Sequence, residues 1–147
     1  MSPYKHILVP TDGSKLSLKA AHDAIALAGE LDATITTLFV IQPWLPPVIE
    51  GALAYNFERA YDDGSKAQAD AALGTVAAAA AAANVTCEKV AIVDGEPWDG
   101  IIKTARKHKC DLIVMASHGR RGIAGMLLGS ETQKVLTHSN IPVLVCR

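Results

Sequence analysis

The sequence predicts an open, doubly wound α/β fold in which a sheet of five parallel strands carries helices on both faces. Apolar segments of strand length alternate along the 147 residues with longer segments of helical spacing. The strand segments are mostly apolar along their whole length, which is typical of strands covered on both sides. Because helices separate them, the strands are expected to run parallel.

Five short apolar segments are predicted as strands. The second is rich in branched and aromatic residues and is stopped by prolines that begin at Pro43. The predicted strands are residues 6–10, 34–41, 87–93, 111–116 and 141–146.

Four segments are predicted as helices. The first, residues 16–31, follows turn and cap residues and repeats apolar side chains at helical spacing. Residues 52–83 are predicted as a loop followed by a helix, with Gly64 marking a break or an early cap. A third helix has Pro97 in its first turn, and a fourth spans residues 129–138.

Length and composition exclude several classes of protein. One domain, residues 1–147, is expected, since a chain of about 150 residues buries roughly 70% of its surface. A net charge of −1 with interspersed signs argues against nucleic acid or an anionic membrane as a partner. No apolar run approaches a membrane span and no cleavage site is recognisable, so a cytoplasmic location is expected. The three cysteines lack CxxC spacing and are expected to be reduced thiols.

The fifth predicted strand, which begins at Ile141 and ends at Cys146, is apolar and has no predicted helix after it. An exposed apolar edge strand is a template for pairing with another chain. We therefore expect a symmetric homodimer joined through this strand. The alternative is an edge covered by a helix or loop from elsewhere in the chain.

Ligands of open parallel sheets gather outside the carboxyl ends of the strands. The glycine-rich segment after the fourth strand leads to Gly129 and Ser130, which open a helix whose unpaired amides and dipole suit a phosphate. The alternative is that these glycines only shape a turn and that Ser130 only caps the helix. Asp12, after the first strand, is likewise either a ligand contact or a turn residue.

The segment from Ala116 to Ser130 resembles the signature of the ATP-binding branch of the universal stress protein family. That signature is a glycine, two residues, a glycine, nine residues, and then glycine with serine or threonine. Here Gly119, Gly129 and Ser130 match, and Ala116 stands where the family has its first glycine. The methyl group of Ala116 is harmless if φ at this residue is negative. It narrows the pocket if the backbone must approach a nucleotide closely here. The resemblance covers the whole chain, through ILVPTDGS, LFVI, VMASHG, LLGSETQKVL and IPVLVCR.

The resemblance implies a strand order of 3-2-1-4-5, dimers through strand five, and an adenine nucleotide (ATP, or ADP or AMP) across the ends of strands one and four. It directs Asp12 toward the ribose or a bound magnesium ion and the Val40 backbone toward adenine. Arg120 is either a phosphate contact or solvated. The candidate binding residues are Pro10, Thr11, Asp12, Val40, Ala116, Ser117, Gly119, Arg120, Gly122, Gly129, Ser130, Glu131 and Thr132.

The function favoured by the sequence is a nucleotide-binding stress-response module. Its occupancy would change the order of the segment between Pro43 and Gly64, and with it the surface offered to an unidentified protein partner. At most slow ATP hydrolysis is expected, because the sequence has no GxxxxGK[ST] loop and no second acidic metal ligand. The alternative is a nucleotide-independent interaction or chaperone-like dimer, which Ala116 favours. A phosphoacceptor domain using Asp94 would also need a lysine after strand five, which the sequence lacks.

Overall fold

The computed structural model of the chain describes residues 2–44, 51–119 and 127–147. Strands and helices alternate along this part of the chain. The strands are β1 (His6–Pro10), β2 (Thr34–Ile41), β3 (Cys87–Val93), β4 (Leu112–Ala116) and β5 (Val143–Cys146). The helices are α1 (Lys15–Leu31), α2 (Ala52–Ala82), α3 (Pro97–Lys107) and α4 (Ser130–His138).

The five strands form one parallel sheet in the order β3-β2-β1-β4-β5, which confirms the predicted fold class and strand order. One core layer packs α1 and α2 against the sheet around Ile7, Val9 and Val114. The other packs α3 and α4 around Leu8 and Ile113. Successive residues of β1 and β4 thus point to opposite covered faces, as period-two geometry requires.

Coverage on both faces holds for β1, β2 and β4 but not for the two edge strands. Val93 of β3 is 66% exposed and Leu144 of β5 is 45% exposed. β5 also begins at Val143, two residues later than predicted. Each edge strand has one neighbouring strand in the sheet, so part of its surface stays open despite an apolar sequence.

The predicted loop and break at Gly64 are wrong, because α2 runs unbroken for 31 residues. A glycine inside a helix costs about 1 kcal/mol relative to alanine, and the many alanines and other helix formers around it offset that cost. From Ala69 onward α2 packs against Phe39, whereas Leu53, Tyr55 and Phe57 are exposed. No helix in the described part of the chain is long and apolar enough to cross a membrane.

All three cysteines are free thiols, as predicted. Burial raises the pKa of the Cys110 thiol to about 11 and also raises the pKa of Cys87 and of Cys146. Since the thiolate is the reactive form, the raised pKa values lower the reactivity of these thiols near neutral pH.

The packing of α3 on the sheet predicts different outcomes for two glycine substitutions. A Cβ at Gly100 would lie 2.9 Å from Ile92 Cδ1 and 3.3 Å from Asp94 Cβ, whereas one at Gly64 would meet nothing within 4 Å. We expect Gly100→Ala to lower the free energy of unfolding by about 1 kcal/mol despite its better helix propensity. Gly64→Ala is expected to raise it by roughly 0.5–1 kcal/mol. Urea denaturation measures both, and equal effects would contradict this packing.

Candidate functional site

A cavity of about 560 Å³ opens at the carboxyl ends of β1, β2 and β4. This volume is within the usual range for small-molecule sites. Its floor and one wall are apolar, and polar side chains and two glycines face them across the opening. The lining residues are Pro10, Thr11, Asp12, Ser17, Leu38, Phe39, Val40, Ile41, Gln42, Tyr61, Ser65, Gln68, Pro97, Ile101, Met115, Ala116, His118, Gly119, Gly129, Ser130, Glu131 and Thr132.

The cavity exists because β1 and β4 stop pairing before they end. Their pairing covers Ile7 with Leu112 and Leu8 with Ile113 only. The Thr11 amide donates to the Leu38 carbonyl on the β2 side, so alternation turns the backbone of Pro10 toward β4. Proline has no N–H to donate there. The two strands therefore end beside an open gap.

The turn after β1 is fixed by its own side chains. The Ser14 amide donates to Asp12 Oδ1 at 2.9 Å, and the Gly13 amide donates to Thr11 Oγ1 at 3.2 Å. Ser14 then caps α1 by accepting from the Ser17 amide. Gly13 has a φ of 81°, a conformation that glycine adopts without strain. Asp12 is thus a turn residue, as one alternative predicted, and its side chain also lines the cavity.

Gly119 lies directly against the Asp12 carboxylate across the gap. A Cβ at position 119 would be 2.5 Å from Asp12 Oδ2. Gly119 is not among the residues with positive φ, so close approach and not backbone conformation requires a glycine here. This contact joins the loops after β1 and β4 at the cavity.

The start of α4 forms the opposite wall. The Gly129 amide donates to the Ser117 carbonyl at 2.6 Å, and Thr132 Oγ1 donates to the Ala116 carbonyl at 3.0 Å. Within the described residues no side chain caps α4, and the first-turn amides of Ser130, Glu131 and Thr132 have no partner within the helix. Two bonds therefore anchor the helix to β4 while three amides remain at its amino end beside the cavity.

The side chain of Glu131 joins the amino ends of two helices. Glu131 Oε2 accepts a hydrogen bond from the Trp98 amide in the first turn of α3 at 2.8 Å. Its other oxygen, Oε1, lies 3.9 Å from Lys134 Nζ. The carboxylate is therefore held at the cavity wall by protein groups on both sides.

The end of β2 offers free backbone at the far side of the cavity. Pairing with β1 stops at Pro10 with Leu38, and alternation turns the N–H and C=O of Val40 to the same side. There they face the cavity and not a strand. Tyr61, Ser65 and Gln68 of α2 add a polar wall, and Tyr61 Oη donates to the Gln42 carbonyl at 2.6 Å.

Comparison with known proteins identifies the family of this chain. The profile of the Universal stress protein family matches residues 3–147. The chain belongs to the universal stress protein family. It is 35% identical to Universal stress protein MJ0531 of Methanocaldococcus jannaschii over 98% of this chain and 82% of that one.

Two solved structures of similar fold bear on the site. MJ0577 of Methanocaldococcus jannaschii superposes with a TM-score of 0.80 and 29% identity, over 97% of this chain and 94% of that one. A universal stress protein solved in complex with cAMP superposes with a TM-score of 0.73 and 28% identity, over 99% and 98% of the two chains. A relative in this family therefore binds a cyclic adenine nucleotide.

The structure brings most of the predicted site residues together. Ser117 is the exception among those described: it does not line the cavity, since it is buried with its amide on the Cys146 carbonyl and its hydroxyl 3.0 Å from His118 Nδ1. Arg120 and Gly122 lie outside the described residues. The predicted residues that line the cavity are Pro10, Thr11, Asp12, Val40, Ala116, Gly119, Gly129, Ser130, Glu131 and Thr132.

Ala116, the departure from the family signature, causes no backbone strain. The described non-glycine residues with positive φ are Asp32, Asn84 and Lys109. Ala116 is the last residue of β4 and is 7% exposed. A methyl group is thus compatible with the backbone at this position.

Sequence reasoning missed the wall contributed by α2. Tyr61, Ser65 and Gln68 lie one turn apart on one helix face, but half of this helix was predicted as a loop. The helical spacing of these polar residues was the signal in the sequence that could have indicated this wall. Trp44 packs against Tyr61 with ring centroids 5.4 Å apart, whereas Tyr55 is 62% exposed.

The anchoring of α4 to β4 makes a testable prediction. Thr132→Val keeps the side-chain shape but leaves the buried Ala116 carbonyl without this donor, so we expect a loss of about 1–2 kcal/mol in unfolding free energy. Thr137→Val on the same helix removes an exposed hydroxyl bonded to the Gln133 carbonyl, and water replaces it with little change. Chemical denaturation distinguishes them. A loss at Thr137 as large as that at Thr132 would contradict the anchoring role.

Proposed function

We propose that this universal stress protein binds an adenine nucleotide (ATP, ADP or AMP) in the cavity between β1 and β4 and acts as a regulatory stress-response module. The observation that carries the proposal is that one cavity is lined at one end by the first turn of α4, whose first three amides have no intrahelical partner, and at the other end by the Val40 backbone, which pairs with no described strand on that side. These two ends match the two ends of a nucleotide, an anionic phosphate and a flat heterocycle with donors and acceptors on its edge.

The phosphate end is the first turn of α4. The amides of Ser130, Glu131 and Thr132 and the positive end of the helix dipole favour an anion there. The exposed Ser130 hydroxyl adds a further donor. Gly129 contributes through its missing side chain, because a Cβ would lie 3.2 Å from the Ser117 carbonyl and its amide is already bonded.

The adenosine end lies between β2 and α2. The Val40 backbone can pair with the edge of adenine while Phe39, Ile101 and Met115, all nearly fully buried, supply apolar surface. The Asp12 carboxylate lines the cavity between the two ends, where it would accept from a ribose hydroxyl. The relative with bound cAMP supports an adenine nucleotide as the ligand class.

A magnesium ion fits only as a companion of the nucleotide. Within the described residues no group of three ligating side chains could hold a metal. Magnesium is often bound through one or two carboxylates together with substrate phosphates. Asp12 would be the protein ligand in that case, and the cation would neutralise phosphate charge.

The site supports binding more than catalysis. Rapid hydrolysis needs a positioned water, a metal clamp and a group that stabilises charge at the γ-phosphate. Among the described lining residues there is neither lysine nor arginine. We therefore propose a binding module with at most slow hydrolysis, working in the cytoplasm, where its free thiols stay reduced.

The regulatory output is proposed to pass through α2. A nucleotide that touches Tyr61 and Ser65 contacts the same helix that exposes Leu53, Tyr55 and Phe57. Binding would stabilise this half of the helix and change the surface offered to a protein partner. The expected loop up to Gly64 is thus replaced by a helix whose middle residues line the cavity. Ala116, the residue that favours the alternative of a nucleotide-independent dimer, adopts no strained conformation.

We also propose that the protein forms a homodimer through β5. The amides of Ile113 and Ser117 donate to the carbonyls of Pro142 and Cys146, so alternation turns the backbone of Val143 and Val145 outward. Leu136 of α4 and Leu144 of β5 are exposed beside this edge. Open backbone and apolar side chains on one edge favour pairing with a second copy.

The nucleotide proposal predicts specific losses on substitution. Calorimetric titration of the purified, nucleotide-stripped protein should give one site for AMP or ATP. Gly119→Ala, which pushes the Asp12 carboxylate aside, should weaken affinity about tenfold, the value of one charge-assisted hydrogen bond.

The matched control is Gly29→Ala in α1, where a Cβ would meet nothing within 4 Å. This variant should bind as the wild type does. Absence of nucleotide from the denatured protein, together with no binding at millimolar ATP or AMP, would remove the proposal. Equal affinity of Gly119→Ala and wild type would remove the role of Asp12.

The dimer proposal predicts that the β5 edge of the sheet is needed for dimer formation and that the β3 edge is not. Val145→Pro removes an outward amide of β5 while leaving the bonds to β4 in place, so it should convert the dimer to a folded monomer. Ala91→Pro makes the same change on the outer side of β3 and should remain dimeric. Analytical ultracentrifugation reads both, and a wild-type monomer would contradict the proposal.

A further inference from the structure

Among the described residues, Glu131 contributes a negative charge to the end of the cavity proposed for phosphate. Among the described lining residues the formally charged side chains are Asp12 and Glu131, both acidic. Glu131 is the second residue of α4, in the turn whose first three residues line the cavity. Its carboxylate therefore adds negative potential where the helix dipole supplies positive potential.

Protein groups hold this carboxylate at both of its oxygens. Oε2 accepts from the Trp98 amide at 2.8 Å, and Oε1 lies toward Lys134. The hydrogen bond joins residues 33 apart in sequence and fixes the side chain between α3 and α4. Glu131 therefore acts on a bound anion through its field at a constant position.

We propose that Glu131 is a charge-selecting residue, which makes the site favour an adenine nucleotide with one phosphoryl group over a metal-free triphosphate. The inference rests on the proposed function. The open donors match it, because the three amides of one helical turn and the Ser130 hydroxyl suffice for the oxygens of one phosphoryl group. Each additional phosphoryl group brings further negative charge near the same carboxylate.

The size of the effect follows from the charge of the ligand. AMP carries about −2 and metal-free ATP about −4 at neutral pH. A unit charge held about 8 Å away in a partly exposed site changes affinity by roughly threefold for each unit of ligand charge at physiological ionic strength. The Glu131 side chain is 38% exposed, so the threefold value, which includes screening by salt, is the one that applies. The expected discrimination between AMP and ATP is then about tenfold.

The test compares Glu131→Gln with wild type by calorimetric titration of AMP, ADP and ATP in EDTA. Glutamine keeps an oxygen that can accept from the Trp98 amide while it removes the charge. We expect the substitution to raise nucleotide affinity by a factor that grows with the charge of the ligand. ATP should therefore gain about tenfold relative to AMP. The gain in affinity should shrink in 0.5 M salt, because the Debye length is then only about 4 Å. It should also shrink when magnesium neutralises part of the ATP charge.

Glu30→Gln provides the control for net charge. Glu30 is exposed near the carboxyl end of α1, about 22 Å along the helix from the cavity, and its removal should leave the three affinities in the wild-type ratio. A change that is equal for AMP, ADP and ATP would mean that Glu131 only holds α3 in place, and this would overturn the inference. Weaker magnesium–ATP binding by Glu131→Gln would assign Glu131 to the metal and overturn it as well. Failure of the wild type to bind any of the three nucleotides would instead remove the proposed function itself.

Discussion

The separation of β1 from β4 at Pro10 is the constraint on which the site depends. These are adjacent strands whose following helices pack on opposite faces of the sheet, α1 on one and α4 on the other. From here the chain continues to β2 on one side and to β5 on the other. Proline ends the hydrogen-bonded ladder at the point where the two chains turn away. A crevice between such strands is the usual ligand site of doubly wound sheets. Here it is deepened because β2 continues to Ile41, beyond the last pairing with β1.

The backbone around this crevice divides into groups that hold the fold and groups that stay open. The Gly129 amide and the Thr132 hydroxyl bind carbonyls at the end of β4 and so set the position of α4. The Asp12 carboxylate fixes its own turn and rests against Gly119. Buried polar groups that are already paired give the wall its rigidity. Ser130, Glu131 and Thr132, whose amides have no partner among the described residues, line the cavity at the first turn of α4. A donor set fixed in this way lowers the entropic cost of binding a ligand.

Most of the fold could be predicted from the sequence because its signals are local. The bounds of β1, β2 and β3 agree with the prediction to the residue, since apolar runs flanked by turn residues and prolines mark them clearly. The break at Gly64 failed because a single glycine costs little in a long alanine-rich helix. The helix wall at Tyr61 was lost with it. Contacts such as Glu131 with Trp98 join distant parts of the chain, and no local pattern reports them.

The site residues, like the fold, divide into features that the sequence predicts and contacts that only the structure shows. Spacing alone gave Gly119 and Gly129, but only the contacts explain them: the first makes room for a carboxylate and the second for a carbonyl. Spacing also included Ser117, which the structure directs toward β5 and His118 instead of the cavity. A motif identifies which positions matter in a family, whereas the direction of each backbone group determines what it can bind.

The most direct test of this account follows the backbone amides of the first turn of α4 by nuclear magnetic resonance during titration with AMP. If the phosphoryl group binds there, the amide protons of Ser130, Glu131 and Thr132 shift downfield and saturate with the same dissociation constant as the Val40 amide. The Gly129 amide, already bonded to the Ser117 carbonyl, shifts less. Saturable binding that leaves the amides of Ser130, Glu131 and Thr132 unchanged would contradict the account.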